Sequence, residues 1–204
     1  MKIAIIGTGN VGASLAQGWA RAGHEILLGV RNQEDFKGKA LLEAEHIRAL
    51  DVPAAIAAAE VIVLAVPSPA IPALAPSLSG AEDKVIIDPT NAFGAKPEGF
   101  DTGYEALSAL TKCKHLMKAF NNTGAENLLD PTYPGGAIDT FVAGDSQSGK
   151  AVVKQLARDL GFGACHDFGG SAQVPLLEQL AFAWINLALV QGMGRDMALT
   201  VVRR

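Results

Sequence analysis

Cysteine is scarce in this 204-residue chain: Cys113 and Cys165 are the only two, far apart and without C-x-x-C spacing. That argues against a disulfide framework or a zinc site and leaves two thiols, buried or half-buried. Basic runs are missing too. The net charge is −4 and no run of Lys or Arg exceeds the terminal Arg203-Arg204, so neither nucleic acid nor an anionic membrane is expected as a partner. The first residues are not a charged segment followed by an apolar one, as a signal peptide would be. The most apolar stretch, Leu176 to Val190, is interrupted by Glu178, Gln179 and Asn186 and reads as too short to span a bilayer. A soluble, cytoplasmic protein is expected. No G-x-S-x-G or H-E-x-x-H occurs, and no His, Cys and carboxylate cluster stands at metal-ligand spacing, so no metal site is expected. The four histidines, His24, His46, His115 and His166, fall at or beside strand edges and read as structural. There is no internal repeat, low-complexity tract or flexible linker.

What is present begins at the first residue. Ile3, Ala4, Ile5 and Ile6 form an apolar strand that runs into Gly7-Thr8-Gly9-Asn10-Val11-Gly12. A G-x-G-x-x-G is weak evidence alone, but here it follows a strand, and Val11, Leu15 and Trp19 continue it on one helical face. Each glycine has an expected job: Gly7 makes the tight turn, Gly9 lets a pyrophosphate approach the backbone, and Gly12 lets the helix pack on the strand. The helix N-terminus offers free N–H groups and partial positive charge to phosphates. The pattern implies a bound dinucleotide.

A second absence bears on which one. The strand His24 to Val30 should end at an Asp or Glu if NAD is preferred, yet the chain reads Val30-Arg31-Asn32, and the nearest acids, Glu34 and Asp35, are expected in a following helix. A carboxylate would repel a 2′-phosphate, whereas the Arg31 guanidinium can pair with it through two charge-assisted hydrogen bonds. NADP(H) is expected, with Arg31 and Asn32 at its adenosine end.

Further apolar runs alternate with helical stretches, as a doubly wound α/β sheet demands. Strands are expected at Val61 to Val66, Val85 to Asp88, Leu116 to Phe120, Thr140 to Ala143 and Ala164 to Asp167, with a weak edge strand near His46 to Ala49. A helix is expected over Ser146 to Leu160, capped by Ser146 and stopped by Gly161, and another from about Gln173 onward, with Leu176, Leu180, Ala183, Trp184, Leu187 and Val190 at helical spacing, broken by Gly192-Met193-Gly194. The fold class is α/β, a Rossmann-type, mostly parallel sheet, with residues 1–172 as the NADP-binding domain and 173–204 as a helical segment packed on it. The apolar stripe over Leu176 to Val190 exceeds what one sheet face needs, so a homodimer is expected.

Ligands of such sheets lie across the carboxyl ends of the strands. Ala65-Val66-Pro67-Ser68-Pro69 is a rigid turn placed to lie beside the ribose and nicotinamide. Asp88-Pro89-Thr90-Asn91 and Lys118-Ala119-Phe120-Asn121-Asn122 end two other strands. Asn offers both donor and acceptor and can hold an amide or a flavin-like ring edge, although it is also a common turn residue. Asn91 and Asn121 are therefore candidates for positioning, and no catalytic acid or base is identified. That suits hydride transfer between two rings, where the cofactors supply the chemistry and the protein supplies orientation.

Together these residues resemble the NADP-dependent deazaflavin (coenzyme F-420) oxidoreductase family. The similarity runs through IAIIGTGNVGASLAQGWARAGHEILLGVRN, through Met117-Lys118-Ala119-Phe120-Asn121, which is also close to the oxidoreductase domain of the STEAP metalloreductases, and through Val142-Ala143-Gly144-Asp145 and Gly192-Met193-Gly194. The resemblance implies NADP in the glycine-rich site and a flavin or deazaflavin co-substrate stacked on the nicotinamide. By position it implies Thr8, Asn10, Val11 and Arg31 at the NADP phosphates, and Val66, Pro67 and Ser68 at the nicotinamide half. Two departures stand out: Val30 and Asn32 replace a second polar or basic group at the 2′-phosphate, and Asn121 stands where archaeal members place a His. The alternatives are an imine or carbonyl reductase of the pyrroline-5-carboxylate type, which needs a larger helical second domain, and a non-catalytic NADPH sensor.

Overall fold

The computed structural model describes all 204 residues. Six parallel strands form its centre: β1 (Lys2–Ile6), β2 (Glu25–Val30), β3 (Ile47–Asp51), β4 (Val61–Leu64), β5 (Val85–Asp88) and β6 (His115–Ala119). A hairpin of β7 (Thr132–Tyr133) and β8 (Gly136–Ala137) precedes β9 (Thr140–Ala143) and β10 (Cys165–Gly169). The sheet order is β10-β9-β6-β5-β4-β1-β2-β3. Strand β9 runs antiparallel to β6, and β10 parallel to β9. The strand order reverses between β1 and β4, which makes that junction the switch point of a Rossmann-type sheet.

Both faces of the sheet are covered, so the central strands are continuously apolar. Ile3 and Ile5 of β1 face a core with Leu15, Trp19 and Leu156, under α1 (Asn10–Arg21), α5 (Ala125–Leu129) and α6 (Gln147–Asp159). Ala4 and Ile6 face the opposite core with Ile56, Ile71, Leu107 and Leu177, under α2 (Val52–Ala58), α3 (Ile71–Leu74), α4 (Gly103–Leu110) and α7 (Val174–Ile185). Helix α6 begins where Ser146 accepts the Gly149 N–H and closes at Gly161, with φ of 94°.

Three expectations are corrected, and one helix is added to them. No helix follows β2: residues 31–38 form a loop, then a 3₁₀ turn at Lys39–Glu43, so Glu34 and Asp35 are loop residues. Asn32 turns the chain by accepting the Glu34 N–H, and residues 31–35 carry nothing apolar to lay on the sheet. Helix α2 is the added element; Asp51 caps it by accepting the Ala54 N–H, with Pro53 in its first turn. Strand β4 stops at Leu64, two residues short of Val66, and frees Ala65 and Val66 for the switch point. The C-terminal apolar stretch is not too short to span a bilayer: a 3₁₀ turn, α7 and a π-helical turn at Asn186–Val190 make a continuous 20 residues from Ser171, long and apolar enough to cross a membrane by length and composition alone. Its Glu178 nevertheless points into the domain, where it pairs with Lys118.

Residues 191–204 have no regular structure, but they are tied down. Arg195 binds Glu126 through two hydrogen bonds of 2.9 Å, and the Met197 carbonyl accepts from Trp184 Nε1 and Asn127 Nδ2. Asp139 accepts from the Thr200 hydroxyl and the Val201 N–H.

Candidate active site

The glycine-rich turn sits at the switch point, and its three glycines do different things. Gly7 takes φ of 101°, and a Cβ there would lie 2.3 Å from the Ala65 carbonyl oxygen. A Cβ on Gly12 would lie 2.0 Å from the Gly7 oxygen and 3.2 Å from the Ala65 Cβ. Both glycines therefore let β1, α1 and the end of β4 close on one another. Gly9 differs: it has an ordinary φ of −71°, and a Cβ there meets nothing within 4 Å. It caps α1 without a side-chain hydrogen bond, leaving the first N–H groups of the helix available. The donor-rich, sterically open face at Gly9 to Val11 fits a pyrophosphate.

Arg31 leaves the end of β2 exposed, and its guanidinium has no hydrogen bond or ion pair within the chain. The loop after it returns to the turn, since Gly38 packs against Thr8. Asn32 is spent on its own loop. Ala65, Val66 and Pro67 line the other side of the switch point, partly exposed, while Ser68 is buried and donates to the Ala95 carbonyl at 3.1 Å. That bond ties the turn after β4 to the loop after β5.

The ends of β5 and β6 carry a network that the sequence reading did not assemble. Asp88 and Lys118 are register partners on neighbouring strands, both fully buried. Lys118 Nζ donates to Asp88 Oδ2 at 3.0 Å, to Glu178 Oε1 at 2.5 Å and to the Thr90 carbonyl, which uses all three of its protons. The remaining carboxylate oxygens accept backbone N–H groups, Asp88 from Thr90 at 2.8 Å and Glu178 from Ala92 at 3.3 Å. Helix α7 is thereby fastened to the turn after β5. The signal for this was present: a Lys and an Asp inside strands buried on both faces must find partners, as must a Glu in an apolar helix.

Beyond Lys118, Phe120 adopts φ of 60°, the one non-glycine residue with positive φ. It is fully buried against Trp19 and Phe162, with ring centroids 5.5 and 6.5 Å away. The backbone strain costs about 1–3 kcal/mol and aims the next two residues. Asn121 and Asn91 pair reciprocally: Asn91 Nδ2 donates to the Asn121 carbonyl at 2.8 Å, and Asn121 Nδ2 donates to Asn91 Oδ1 at 2.9 Å. Asn121 Oδ1 is buried without a partner. Asn122 faces away from this pair and accepts from Thr140. The structure thus joins Asn91 to Asn121.

The cysteines lie elsewhere, and burial pushes the Cys165 thiol up to about 12. Each histidine shows a structural partner except the exposed His46: His24 links the N-terminal amine to Asp159, His115 meets Ser146, and His166 meets Asp139.

Comparison with known proteins agrees with this architecture. Residues 2–92 match the family described as NADP oxidoreductase coenzyme F420-dependent. The F420-dependent NADP reductase of Methanothermobacter thermautotrophicus is 31% identical over 207 residues, covering 92% of this chain and 89% of the relative. The chain belongs to this family. The Methanothermobacter marburgensis enzyme of the same name is also 31% identical, with 92% of both chains covered. A crystal structure from Arthrobacter sp. FB24 ascribed to an F420-dependent NADP reductase superposes with a TM-score of 0.85 at 26% identity, covering all of both chains. A reductive aminase from Aspergillus terreus shares the fold alone, with a TM-score of 0.66 at 21% identity, 94% of this chain and 62% of the aminase being covered.

Proposed function

We propose that this chain transfers a hydride between NADP(H), held across the β1–β4 switch point, and a deazaflavin or flavin lying over the ends of β5 and β6. It is an NADP-dependent oxidoreductase, and the observation that carries the proposed site is the contrast at Gly9. Its neighbours Gly7 and Gly12 are filled by the chain's own atoms, while Gly9 opens onto the first N–H groups of α1. When bound, the nicotinamide supplies the hydride, and the acceptor ring takes it up.

The side chains orient the two rings. Thr8, Gly9, Asn10 and Val11 present backbone to the pyrophosphate, Gly7 and Gly12 close the turn behind them, and Arg31 meets the 2′-phosphate, with Asn32 shaping its loop. Ala65, Val66, Pro67 and Ser68 wall the nicotinamide side. Asn91 and Asn121 lock one another, and the unpartnered Asn121 Oδ1 can accept a hydrogen bond from a carboxamide or a ring N–H. Asp88 and Lys118 are fully buried, so neither can pass protons to a reacting carbon from this arrangement. A shallow rate–pH profile between about 6 and 8 follows.

The family favours a deazaflavin as the small-molecule acceptor. We further read residues 173–204 as an appendage to the 1–172 domain and the cytoplasm as its setting, without nucleic acid or membrane as partner. A second copy of the chain is the occupant we assign to the exposed Leu176, Leu189, Val190 and Met193; a monomer by light scattering at micromolar concentration would refute that. The test of function is to mix the protein with NADPH and deazaflavin, flavin, quinone, ferric and cyclic imine acceptors and follow loss of nicotinamide absorbance. Deazaflavin should be reduced fastest, and turnover confined to the imine would overturn the reading.

A further inference from the structure

Hydride transfer between two rings needs no buried ions, yet one ammonium and two carboxylates lie side by side beneath this site. Buried ion clusters stabilise a fold poorly, and apolar side chains of similar volume would serve a strut as well or better. The charge count is also uneven. Neither Asp88 nor Glu178 has any other Lys, Arg or His partner, and their remaining bonds are to backbone N–H groups. One formal negative charge is left over in a region closed to water.

Its location gives that charge a target. Strand β5 lies directly beside β4, with Val63 opposite Ile87, and the Ser68–Ala95 bond joins the turns that follow them. Neighbouring strands are about 4.8 Å apart, so Asp88 and Lys118 lie one and two strand spacings from the Ala65–Ser68 wall. The nicotinamide ring carries a positive charge when oxidised and none when reduced. We infer that the Asp88–Lys118–Glu178 cluster is a charge-biasing element that binds the oxidised ring in preference to the reduced one and so makes bound NADPH a stronger hydride donor. Lys118 keeps the two carboxylates together and holds the Thr90 carbonyl, and the charge in excess is shared by Asp88 and Glu178. The inference rests on the assignment of NADP(H) to the switch point.

The readout is the ratio of dissociation constants for NADP⁺ and NADPH, measured by calorimetry on the whole protein. Glu178→Gln keeps an oxygen for Lys118 and removes one charge. At an effective dielectric near 20, a charge about two strand spacings away, as at Lys118, should raise the ratio by about 20-fold, chiefly by weakening NADP⁺. A tenfold rise corresponds to about 30 mV in the bound couple. Asp88→Asn removes a charge from the opposite side, should move the ratio the same way, and decides the matter if Glu178→Gln does not fold. Glu178→Asp keeps the charge while loosening the contact, and should leave the ratio within twofold of the original. A ratio unmoved in both neutral variants, or moved equally by Glu178→Asp, overturns the inference. Failure of the unaltered protein to bind either nucleotide defeats the switch-point assignment and this inference with it.

Discussion

The two halves of the site are built by opposite means. At the ends of β1 and β4 there is almost no side chain: three glycines, an alanine and a valine expose backbone, and the one charged group, Arg31, stands free of partners. At the ends of β5 and β6 the polar side chains are held by one another, through three buried ions and a reciprocal Asn pair beside a strained Phe120, and Asn121 Oδ1 is left without a partner. A phosphate chain is recognised by backbone N–H groups and a helix end, which a short contiguous segment can provide. Holding two rings at reacting distance requires fixed polar groups, and those must be fixed by other groups in turn.

The largest expected effect separates the halves outright. Gly9→Val should reduce NADPH binding by more than a hundredfold, because its side chain would occupy the pyrophosphate's place, yet leave the melting temperature nearly unchanged, because a Cβ there meets nothing. Gly12→Val should instead destabilise the fold, since its Cβ would press on the Gly7 carbonyl. Calorimetry and thermal melts on both variants check this, and normal binding by Gly9→Val would end the cradle assignment. In the other half, Lys118→Met strands two buried carboxylates, which should cost about 3–5 kcal/mol of stability. For a chain of this size that is a melting temperature lower by about 6–20 °C.

The same contrast explains what could be read from sequence. The cradle lies within twelve consecutive residues whose spacing is itself the signal, and the buried strands Val85–Asp88 and Thr140–Ala143 came out with both ends correct because continuous apolar runs leave no choice of face. The ion cluster joins positions 88, 118 and 178, and its members read singly as strand or helix interruptions. By sequence Glu178 is a polar break in an apolar stretch; its burial, which demands a cation, is visible only in the fold. Glu34 and Asp35 are expected in a helix after β2 but lie in a loop, and nothing in their spacing reveals that Asn32 turns the chain. The φ of Phe120 has no signature in a phenylalanine.

Two smaller effects sharpen the division of labour. Arg31→Ala should weaken NADPH by about 1–3 kcal/mol while leaving NADH nearly untouched, as expected for a charge-assisted contact to one phosphate; equal losses would show that Arg31 does not read the 2′-phosphate. Asn121→Ala should do the reverse, lowering turnover by about ten- to a hundredfold with the nucleotide dissociation constant held within about twofold. No new titration should enter the rate–pH profile. A bell-shaped profile that loses one limb when Asp88 or Lys118 is replaced would assign proton transfer to the cluster and shift the substrate towards a carbonyl or imine.

The smallest effect concerns a region that belongs to neither half. Asp139, 7% exposed, precedes β9 and gathers the Thr200 hydroxyl at 2.8 Å, the Val201 N–H at 2.9 Å and His166 at 3.1 Å on one oxygen. Burial pushes its carboxyl up, but the bonds to Val201, Thr200 and His166 outweigh burial and hold it below the usual carboxylate range. A carboxyl with a lowered folded pKa stabilises the fold above its unfolded value, near 4, and that contribution is lost as pH falls through the folded value. The C-terminal strap should therefore stay fastened from neutrality down to about pH 4 and loosen below it. Asp139→Asn, which keeps an acceptor but not the charge, should speed amide exchange at Val201 by about three- to tenfold at pH 7, with the melting temperature almost unmoved. Because Asp139 touches neither the glycine-rich turn nor the Asn pair, nucleotide affinity and turnover should change by less than about twofold. A larger loss of turnover would mean that the strap, acting through Thr140 and Asn122, is part of the β6 half after all.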